Sequence, residues 1–400
     1  MSVNLSWLVN VNVSLNTTLS QAPSFNDMMI VGVFPTASRP ARWGVPLTNL
    51  SYAYTQLTDV LSDFQPLETA ATTQADKDRY QFIINAATLV FSQSPSPSRV
   101  YIGCIDSSAA TPGDYVTLLN NLLTYNNNPF ALYLAYKVVA ADITGLTGWS
   151  AAMNNQAALG NPKVMLIDVD DNGAIATTVQ TAGGSDYILI CNYKGNLTPI
   201  GGGTTAPLSL GAACMGEYFV DLFASGVGLK PFAGMTLASL PGDNNITTSS
   251  IGDTTTGLIG TNNNIYPSFG NQGLALTQYG LVSSSKPTAL RYLDQIVGSV
   301  FLKLNIQNDF VTLLASMQGR GGLPYEDDGI QLIINTFKGS LNKALDQRII
   351  VPYKNSDISY KNKADVAPIN ITNRIYSDLS ANLTLLSRIQ RMVINVNLNI

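Results

Sequence analysis

Two acidic clusters hold the residues of this chain whose types and spacing could do chemistry. The first, Asp168–Gly173, reads Asp-Val-Asp-Asp-Asn-Gly and resembles the start of a calcium-binding loop. An EF-hand loop needs a bidentate Glu at its twelfth position, where this chain has Val179. We therefore interpret the stretch as a turn at the end of a strand, because Asp, Asn and Gly supply the side-chain hydrogen bonds and positive φ angles that turns require.

The second cluster, Glu326-Asp327-Asp328, could hold a metal ion or act as an acid. Helix capping explains it more simply, since the free N–H groups and the dipole of a helix attract carboxylates to its N-terminus. We expect Asp327 or Asp328 to be the N-cap residue of a helix.

The chain contains no His, which excludes Ser-His-Asp and Cys-His catalysis and metals held by His. It lacks a Walker-type phosphate loop, and its glycine run Gly201–Gly203 has neither a Lys nor a helix start at the right spacing. Catalysis by carboxylates or Lys stays open as an alternative. We predict a protein that is not an enzyme, with no catalytic residue, no cofactor and no metal site.

Charged residues make up 12% of the 400 residues, about half the usual share. A surface with few charges is easily desolvated, which suits a protein that packs against copies of itself. The net charge of −4 and the lack of a basic run argue against nucleic-acid binding. No apolar run reaches the roughly 18 residues that span a bilayer, and no basic segment opens the chain, so we expect neither membrane insertion nor a cleaved signal.

The three cysteines, Cys104, Cys191 and Cys214, are odd in number and have no C-x-x-C spacing. Two lie in strand-like apolar runs and the third in a helical one. We interpret them as reduced core residues of a protein assembled in the cytosol.

The middle of the chain alternates between continuous apolar strands and amphipathic helices. The predicted strands are Met28–Phe34, Val100–Ile105, Phe130–Tyr136, Val164–Val169 and Tyr187–Cys191. The predicted helices are Gln74–Ser92, one opened by Pro112 and Asp114, and one near Trp149–Leu159. This pattern predicts an α/β fold with a mostly parallel or mixed sheet and flanking helices. Residues 195–280 are rich in Gly, Asn, Thr and Ser, and we expect loops there around a short helix, Cys214–Phe223.

Two stronger helices follow the loop-rich region, each with apolar residues at helical spacing. The first carries Leu293, Ile296, Val297, Val300, Phe301 and Leu304, and the second carries Ile330, Ile333, Ile334, Phe337, Leu341 and Leu345. We expect Ile333, Ile334 and Phe337 to be core residues. Residues 353–372 are polar, and we expect them to be open.

Both ends of the chain alternate apolar and polar residues with the period of a β-strand. The apolar positions are Val3, Leu5, Trp7, Val9, Val11, Val13 and Leu15 at the start, and Met392, Ile394, Val396, Leu398 and Ile400 at the end. A lone strand is unstable, so each must pair with another strand. The partner strand belongs either to the same subunit or to a neighbour.

The pattern divides the chain into four parts. We predict an N-terminal β arm over residues 1–24 and an α/β domain over 25–280 that is loop-rich from about 195. A helical part covers 281–352 and completes an inner core domain. A C-terminal linker and β arm cover 353–400.

The last third of the chain resembles contractile phage tail sheath proteins, in particular a branch long known only as phage proteins of unknown function. The family has a helix with an Asp near its start, then a Pro-Tyr-Thr-Asp-x-Gly-Ile element and a second helix. The residues that match this element and the two helices are Asp294, Pro324, Tyr325, Asp327, Gly329, Ile330, Ile333 and Phe337, while Glu326 replaces the Thr. Further similar stretches are 262–270, 279–287, 291–296 and 387–394, so the resemblance covers roughly residues 255–400, and the N-terminal half matches in layout alone.

The resemblance implies a structural subunit that forms hexameric rings, stacked helically around a tail tube. Terminal arms would add strands to the inner domains of neighbours. The partners would be further copies, the tail tube protein, the baseplate and the tail terminator. The protein would assemble in the cytoplasm of a bacterial host and reside in the virion tail. Contraction would drive the tube through the target cell envelope on stored lattice energy, with hinges near residues 17–24 and 353–367.

Two other functions fit parts of the sequence. A carbohydrate-binding adhesin or surface-layer protein would explain the low charge and the Asn and Thr content, but not the β/α middle or the missing signal segment. An α/β enzyme with a carboxylate-based site would explain the middle, but not the strand-like ends or the missing His and phosphate loops.

Overall fold

The computed structural model describes most of residues 24–386. The described ranges are 24–44, 49–106, 114–136, 138–143, 148–158, 161–170, 174–181, 184–194, 208–224, 228–246, 258, 262–269, 274–275, 277, 282, 292–319 and 321–386. The arm strands predicted at both ends lie outside these residues, as do the family-like stretch 279–287 apart from residue 282 and the last three residues of the calcium-like stretch, 171–173.

A seven-stranded sheet forms the centre of the fold, and its strand order is β2-β3-β1-β4-β5-β6-β9. These strands are β1 (Ser24–Phe34), β2 (Ser51–Tyr54), β3 (Val100–Asp106), β4 (Pro129–Leu134), β5 (Val164–Val169), β6 (Ile188–Asn192) and β9 (Asn263–Ile265). Every pair is parallel except β2 with β3, which is antiparallel. The predicted α/β class with a mostly parallel sheet is confirmed.

Three two-stranded sheets accompany the central one. They pair β7 (Phe223–Ala224) with β8 (Gly228–Leu229), β10 (Ser268–Phe269) with β11 (Leu274–Ala275), and β12 (Ile358–Ser359) with β13 (Ser380–Ala381). The first two fall in the stretch 195–280, where the sequence predicts loops and short strands.

The described helices are α1 (Leu57–Ala70), α2 (Gln74–Phe91), α3 (Tyr115–Tyr125), α4 (Ala140–Ile143), α5 (Trp149–Ala158), α6 (Ala174–Thr181), α7 (Leu210–Val220), α8 (Leu293–Gln318), α9 (Asp327–Asp346) and α10 (Pro368–Thr372). The predicted helix Gln74–Ser92 is confirmed to within one residue. The helix predicted over Cys214–Phe223 begins and ends earlier, because the chain turns after Val220 and Phe223 starts β7.

The core lies on both faces of the central sheet. Every residue of β4 and β5 is buried, as expected for parallel strands covered on two sides. Helix α7 is buried nearly all round and packs against β1, β4, β5, β6 and α2. All three cysteines are free and buried, as predicted.

Helices α8 and α9 run antiparallel, since Gly298 near the start of α8 packs against Ile349 just beyond the end of α9, while Asp309 further along α8 binds Ser340 and Lys343 earlier in α9. The apolar side of α9 consists of Ile330, Ile334, Phe337 and Leu341, which are all buried. Ile333 was expected in this core but is only half-buried. Its position places it on the flank of the stripe that the other four residues form at three- and four-residue spacing.

Candidate functional site: the C-terminal strap

Residues 353–386 form a folded excursion that leaves the end of α9 and returns to it; we call it the strap. Its two ends meet at a short antiparallel ladder, the root. Val351 N–H donates to the carbonyl of Thr384 at 3.0 Å, and Leu386 N–H donates to the carbonyl of Ile349 at 2.9 Å. Most of residues 353–372 are exposed, as expected, but they form folded structure of their own, because polar residues here are tied to each other and to α9.

The middle of the strap is held by main-chain pairing and by one tyrosine. Strands β12 and β13 pair antiparallel. Beyond them, Tyr376 Oη donates to the carbonyl of Lys361 at 2.8 Å and accepts from its N–H at 3.2 Å. Lys361 Nζ also lies 3.0 Å from Asp378 Oδ1. Burial raises the pKa of Tyr376, so the hydroxyl stays protonated and keeps its donor.

The strap is clasped to the N-terminus of α9 by the family-like element of the sequence. Asp327 Oδ1 accepts from the N–H of Lys363 at 2.8 Å, and Lys363 Nζ pairs with Glu326. Tyr325 Oη donates to the carbonyl of Ile375 at 2.9 Å, and its ring lies edge-on to that of Tyr376. We call these contacts the clasp. They connect residues 36–51 positions apart in the chain.

Gly329 explains the sharp bend that brings Tyr325 to the strap. A Cβ atom on Gly329 would overlap the carbonyl oxygen of Pro324, so the chain before α9 folds tightly against the first turn of the helix only because this residue has no side chain. Ile330 follows and is buried, and its N–H donates to the carbonyl of Glu326 at 2.9 Å.

The N-cap prediction is wrong by one residue. Glu326 is the N-cap and makes no capping side-chain hydrogen bond, while Asp327 and Asp328 lie in the first turn of α9. Both carboxylates remain near the positive end of the helix dipole, as the sequence argument requires. Asp327 does not cap because its side chain accepts from Lys363 of the strap.

Asp294 does not join this site, although the family resemblance groups it with the element at residues 324–330. It lies in the first turn of α8, where its side chain accepts from the N–H of Gln295 at 2.9 Å. Because α8 and α9 are antiparallel, that turn lies toward the opposite end of the helix pair. Gly298, one turn further, packs against Ile349 beyond the end of α9.

A second polar group lies inside the sheet, at Asp168 near the end of β5. Tyr133 Oη donates to Asp168 Oδ2 at 2.6 Å, and the N–H of Gly211 donates to Oδ1 at 2.7 Å. Burial raises the pKa of Asp168 to about 7. Asp168 and Tyr133 are fully buried, so this carboxylate fixes the start of α7 to the sheet and cannot reach a substrate in this arrangement.

Lys163 stands at the other end of β5 and is fully buried as well. Its Nζ donates to the carbonyl of Asn127 at 2.6 Å, and burial lowers its pKa to about 7. Nearby, Asp27 is bound in a bidentate manner by Arg99. Each end of β5 therefore has a fully buried titratable side chain, Lys163 at its start and Asp168 near its end.

Neither a cluster of metal-binding side chains nor a membrane-spanning helix is found in the described part of the chain. No group of three or more Cys, Asp or Glu side chains there could hold a metal ion. Within the same residues, no helix combines the length and the apolar composition that a bilayer span requires.

Comparisons with known proteins bear on the fold of this chain. No family model matches the chain, and no curated protein matches it in sequence. Among solved structures, the crystal structure of a sheath tail protein from Listeria innocua is similar over 94% of this chain and 98% of that one, with a TM-score of 0.50 and 9% identity. The likeness shows that this chain shares its α/β fold with a solved sheath tail protein along nearly the whole length of both.

Proposed function

We propose that this chain is a structural subunit of a contractile tail sheath and not an enzyme. The observation that carries the proposal is the likeness to a sheath tail protein, which extends over 94% of this chain and 98% of that one. The low charge of the sequence and its strand-like ends support self-assembly independently of that likeness.

In this proposal, residues 1–24 and the residues after 386 are arms that add strands to neighbouring subunits. The proposal keeps the four-part division predicted from the sequence with one change, which is made because the strap is folded onto α9. The C-terminal arm then begins after Leu386 instead of near residue 353, and the hinge expected at 353–367 moves to the same point. Main-chain pairing would give the arms strength, and their alternating side chains would fix the register.

The subunits would form hexameric rings stacked around a tail tube, in contact with the baseplate and the tail terminator. They would assemble in the host cytoplasm and remain in the virion tail. Contraction would release energy stored in the extended lattice and need no nucleotide or metal. The subunits would move nearly as rigid bodies, because breaking a buried strand pair leaves N–H and C=O groups unpaired at about 1–3 kcal/mol each.

Electron microscopy of the purified protein, in chelator and without nucleotide, tests the proposal directly. Rings, tubes or polysheaths are the expected result. A monodisperse monomer that persists for days at high concentration would contradict it, and an active monomer would favour the enzyme alternative.

The N-terminal arm offers a matched pair of variants. Val9→Asp with Val11→Asp places two charges on the face expected to be buried, and should block polymerisation. Asn10→Asp with Asn12→Asp adds the same charge to the opposite face and should leave it intact. Circular dichroism should show a folded protein in both, because the proposal assigns this strand to pairing with a neighbour and not to the α/β core of its own subunit. Global unfolding of the first variant would assign the strand to its own subunit.

A further inference from the structure

Exposed apolar side chains concentrate near the clasp. Among the described residues, six large hydrophobic side chains are exposed, and four of them lie between residues 332 and 375. They are Leu332 at 40% exposure, Tyr360 at 42%, Ile369 at 62% and Ile375 at 54%. Clustered exposed apolar residues mark interaction surfaces, whereas single ones are ordinary.

The two isoleucines lie in one hydrogen-bonded turn region with an arginine, and we call Ile369, Arg374 and Ile375 together the strap patch. Arg374 is exposed and forms no ion pair with any described residue. Its backbone has φ of 57°, in the left-handed region that non-glycine residues seldom adopt. Hydrogen bonds from Arg374 N–H to Ile371 and from Ile375 N–H to Asn370 hold this turn. An arginine held among apolar residues is typical of the energetic centre of protein interfaces.

The first turns of α9 present a complementary surface, which we call the α9 face. Asp328 and Leu332 are four residues apart, so they lie on the same side of the helix, and both are exposed. Glu326 and Asp327 are engaged by Lys363, whereas Asp328 forms no ion pair with any described residue. An unpaired acid beside an exposed leucine therefore matches an unpaired base beside exposed isoleucines.

We propose that the strap patch of one copy of this chain binds the α9 face of a second copy. Arg374 of the first copy pairs with Asp328 of the second, and Ile369 and Ile375 cover Leu332. The inference rests on the proposed function insofar as it requires copies to associate. We infer the one-directional, heterologous form of this contact, because it leaves one strap patch and one α9 face free and so continues from copy to copy into a ring or a filament, as the proposed function requires, whereas the reciprocal form would close as a dimer.

A charge exchange tests the pairing. Arg374→Glu and Asp328→Arg each place like charges opposite each other, and each should raise the protein concentration needed for polymerisation by about tenfold or more. The double variant restores the pair with its polarity reversed, and should return that concentration to within about threefold of the parent protein. Sedimentation of polymer from monomer measures the concentration, and thermal unfolding checks that each variant is folded.

Arg348→Glu is the matched control. Arg348 is also exposed, also has a left-handed backbone, with φ of 52°, and lies just beyond the opposite end of α9. It should polymerise as the parent does. If the parent polymerises and both single variants do so equally well, the contact is refuted and the proposed function stands. If folded single variants fail and the double variant is not rescued, the pairing is refuted too. If the parent never polymerises, the proposed function itself fails.

Discussion

In the central sheet every residue of β4 and β5 is buried, whereas in the strap only Ile358 and Val366 are. The sheet is ordered by the removal of apolar surface from water, an interaction without direction that many neighbours share. The strap is ordered by individual hydrogen bonds and ion pairs at the surface, each of which contributes little on its own. Local opening of the strap should therefore cost less free energy than opening of the sheet.

The largest expected effect on the free energy of unfolding comes from truncating a large side chain in the core of the sheet. Phe130 is fully buried in β4, with ring centroids of Phe25 at 4.8 Å and Phe219 at 6.0 Å. Phe130→Ala should lower the free energy of unfolding by about 3–5 kcal/mol. The matched change in the strap, Ile369→Ala, should alter it by less than about 0.5 kcal/mol. Urea denaturation measures both. Similar losses would contradict the view that the sheet core contributes more to stability than the strap does.

Asp168 should give the sheet a pH dependence that the strap lacks. An unfolded Asp titrates near pH 4, about three units below Asp168 in the folded protein. Between those values the folded protein keeps a proton that the unfolded chain has lost. The stability due to this residue is therefore greatest at about pH 4 and below, falls as pH rises to about 7, and stays level above that.

Asp168→Asn tests this sign, because the amide keeps an oxygen for the N–H of Gly211 but does not titrate. Relative to the parent, the variant should gain up to about 1.4 kcal/mol per pH unit across that window. Urea denaturation at several pH values measures the difference between the two proteins. A difference that does not change with pH would show that Asp168 is not the group responsible.

The bend that supports the clasp should be sensitive to a single methyl group. Gly329→Ala forces a Cβ against the Pro324 carbonyl and should destabilise the protein by about 1–3 kcal/mol. Gly339, in the same helix, has open space around it. Gly339→Ala should therefore be neutral or stabilise by up to about 1 kcal/mol. Thermal unfolding compares the two, and equal effects would mean that the bend is not a constraint.

The smallest effect on global stability should come from the clasp itself. Lys363→Met removes the ion pair with Glu326, which is exposed, so the free energy of unfolding should fall by less than about 1 kcal/mol. Chymotrypsin cleavage after Tyr360 should nevertheless become faster, because the strap is released locally. Unchanged cleavage would show that the other strap contacts suffice.

The sequence predicts the buried strands best. β1, β3, β4, β5 and β6 are continuous apolar runs, and strands covered on both faces need that pattern. It does not predict β9, because Asn263 and Asn264 are rarely strand residues. Their amides replace the missing apolar packing: Asn263 accepts from Asn192, and Asn264 donates to the carbonyl of Ile190. The sequence does not predict β2 either, because this strand has only four residues and lies antiparallel at the edge of the sheet.

The candidate site is predicted in part for a similar reason. Tyr325, Asp327 and Gly329 stand out through a family-like element, but their role depends on partners far along the chain. Lys363 and Ile375 meet them through single main-chain groups and leave no periodic signal. The polarity of residues 353–372 indicates that they are exposed to solvent. The hydrogen bonds that these residues make with one another can be seen only in the three-dimensional structure.

The root of the strap also determines how the chain carries mechanical load. Tension applied beyond Leu386 reaches the hydrogen bond between Leu386 and Ile349 before any other contact of the strap. Ile349 packs against Gly298 of α8, so the force continues directly into the helix pair. The 33 residues from Tyr353 to Leu385 lie outside this path and do not transmit the force. Pulling on the chain end therefore opens the ladder from this outermost hydrogen bond inward, and the strap patch and the clasp stay unstressed until the ladder has opened.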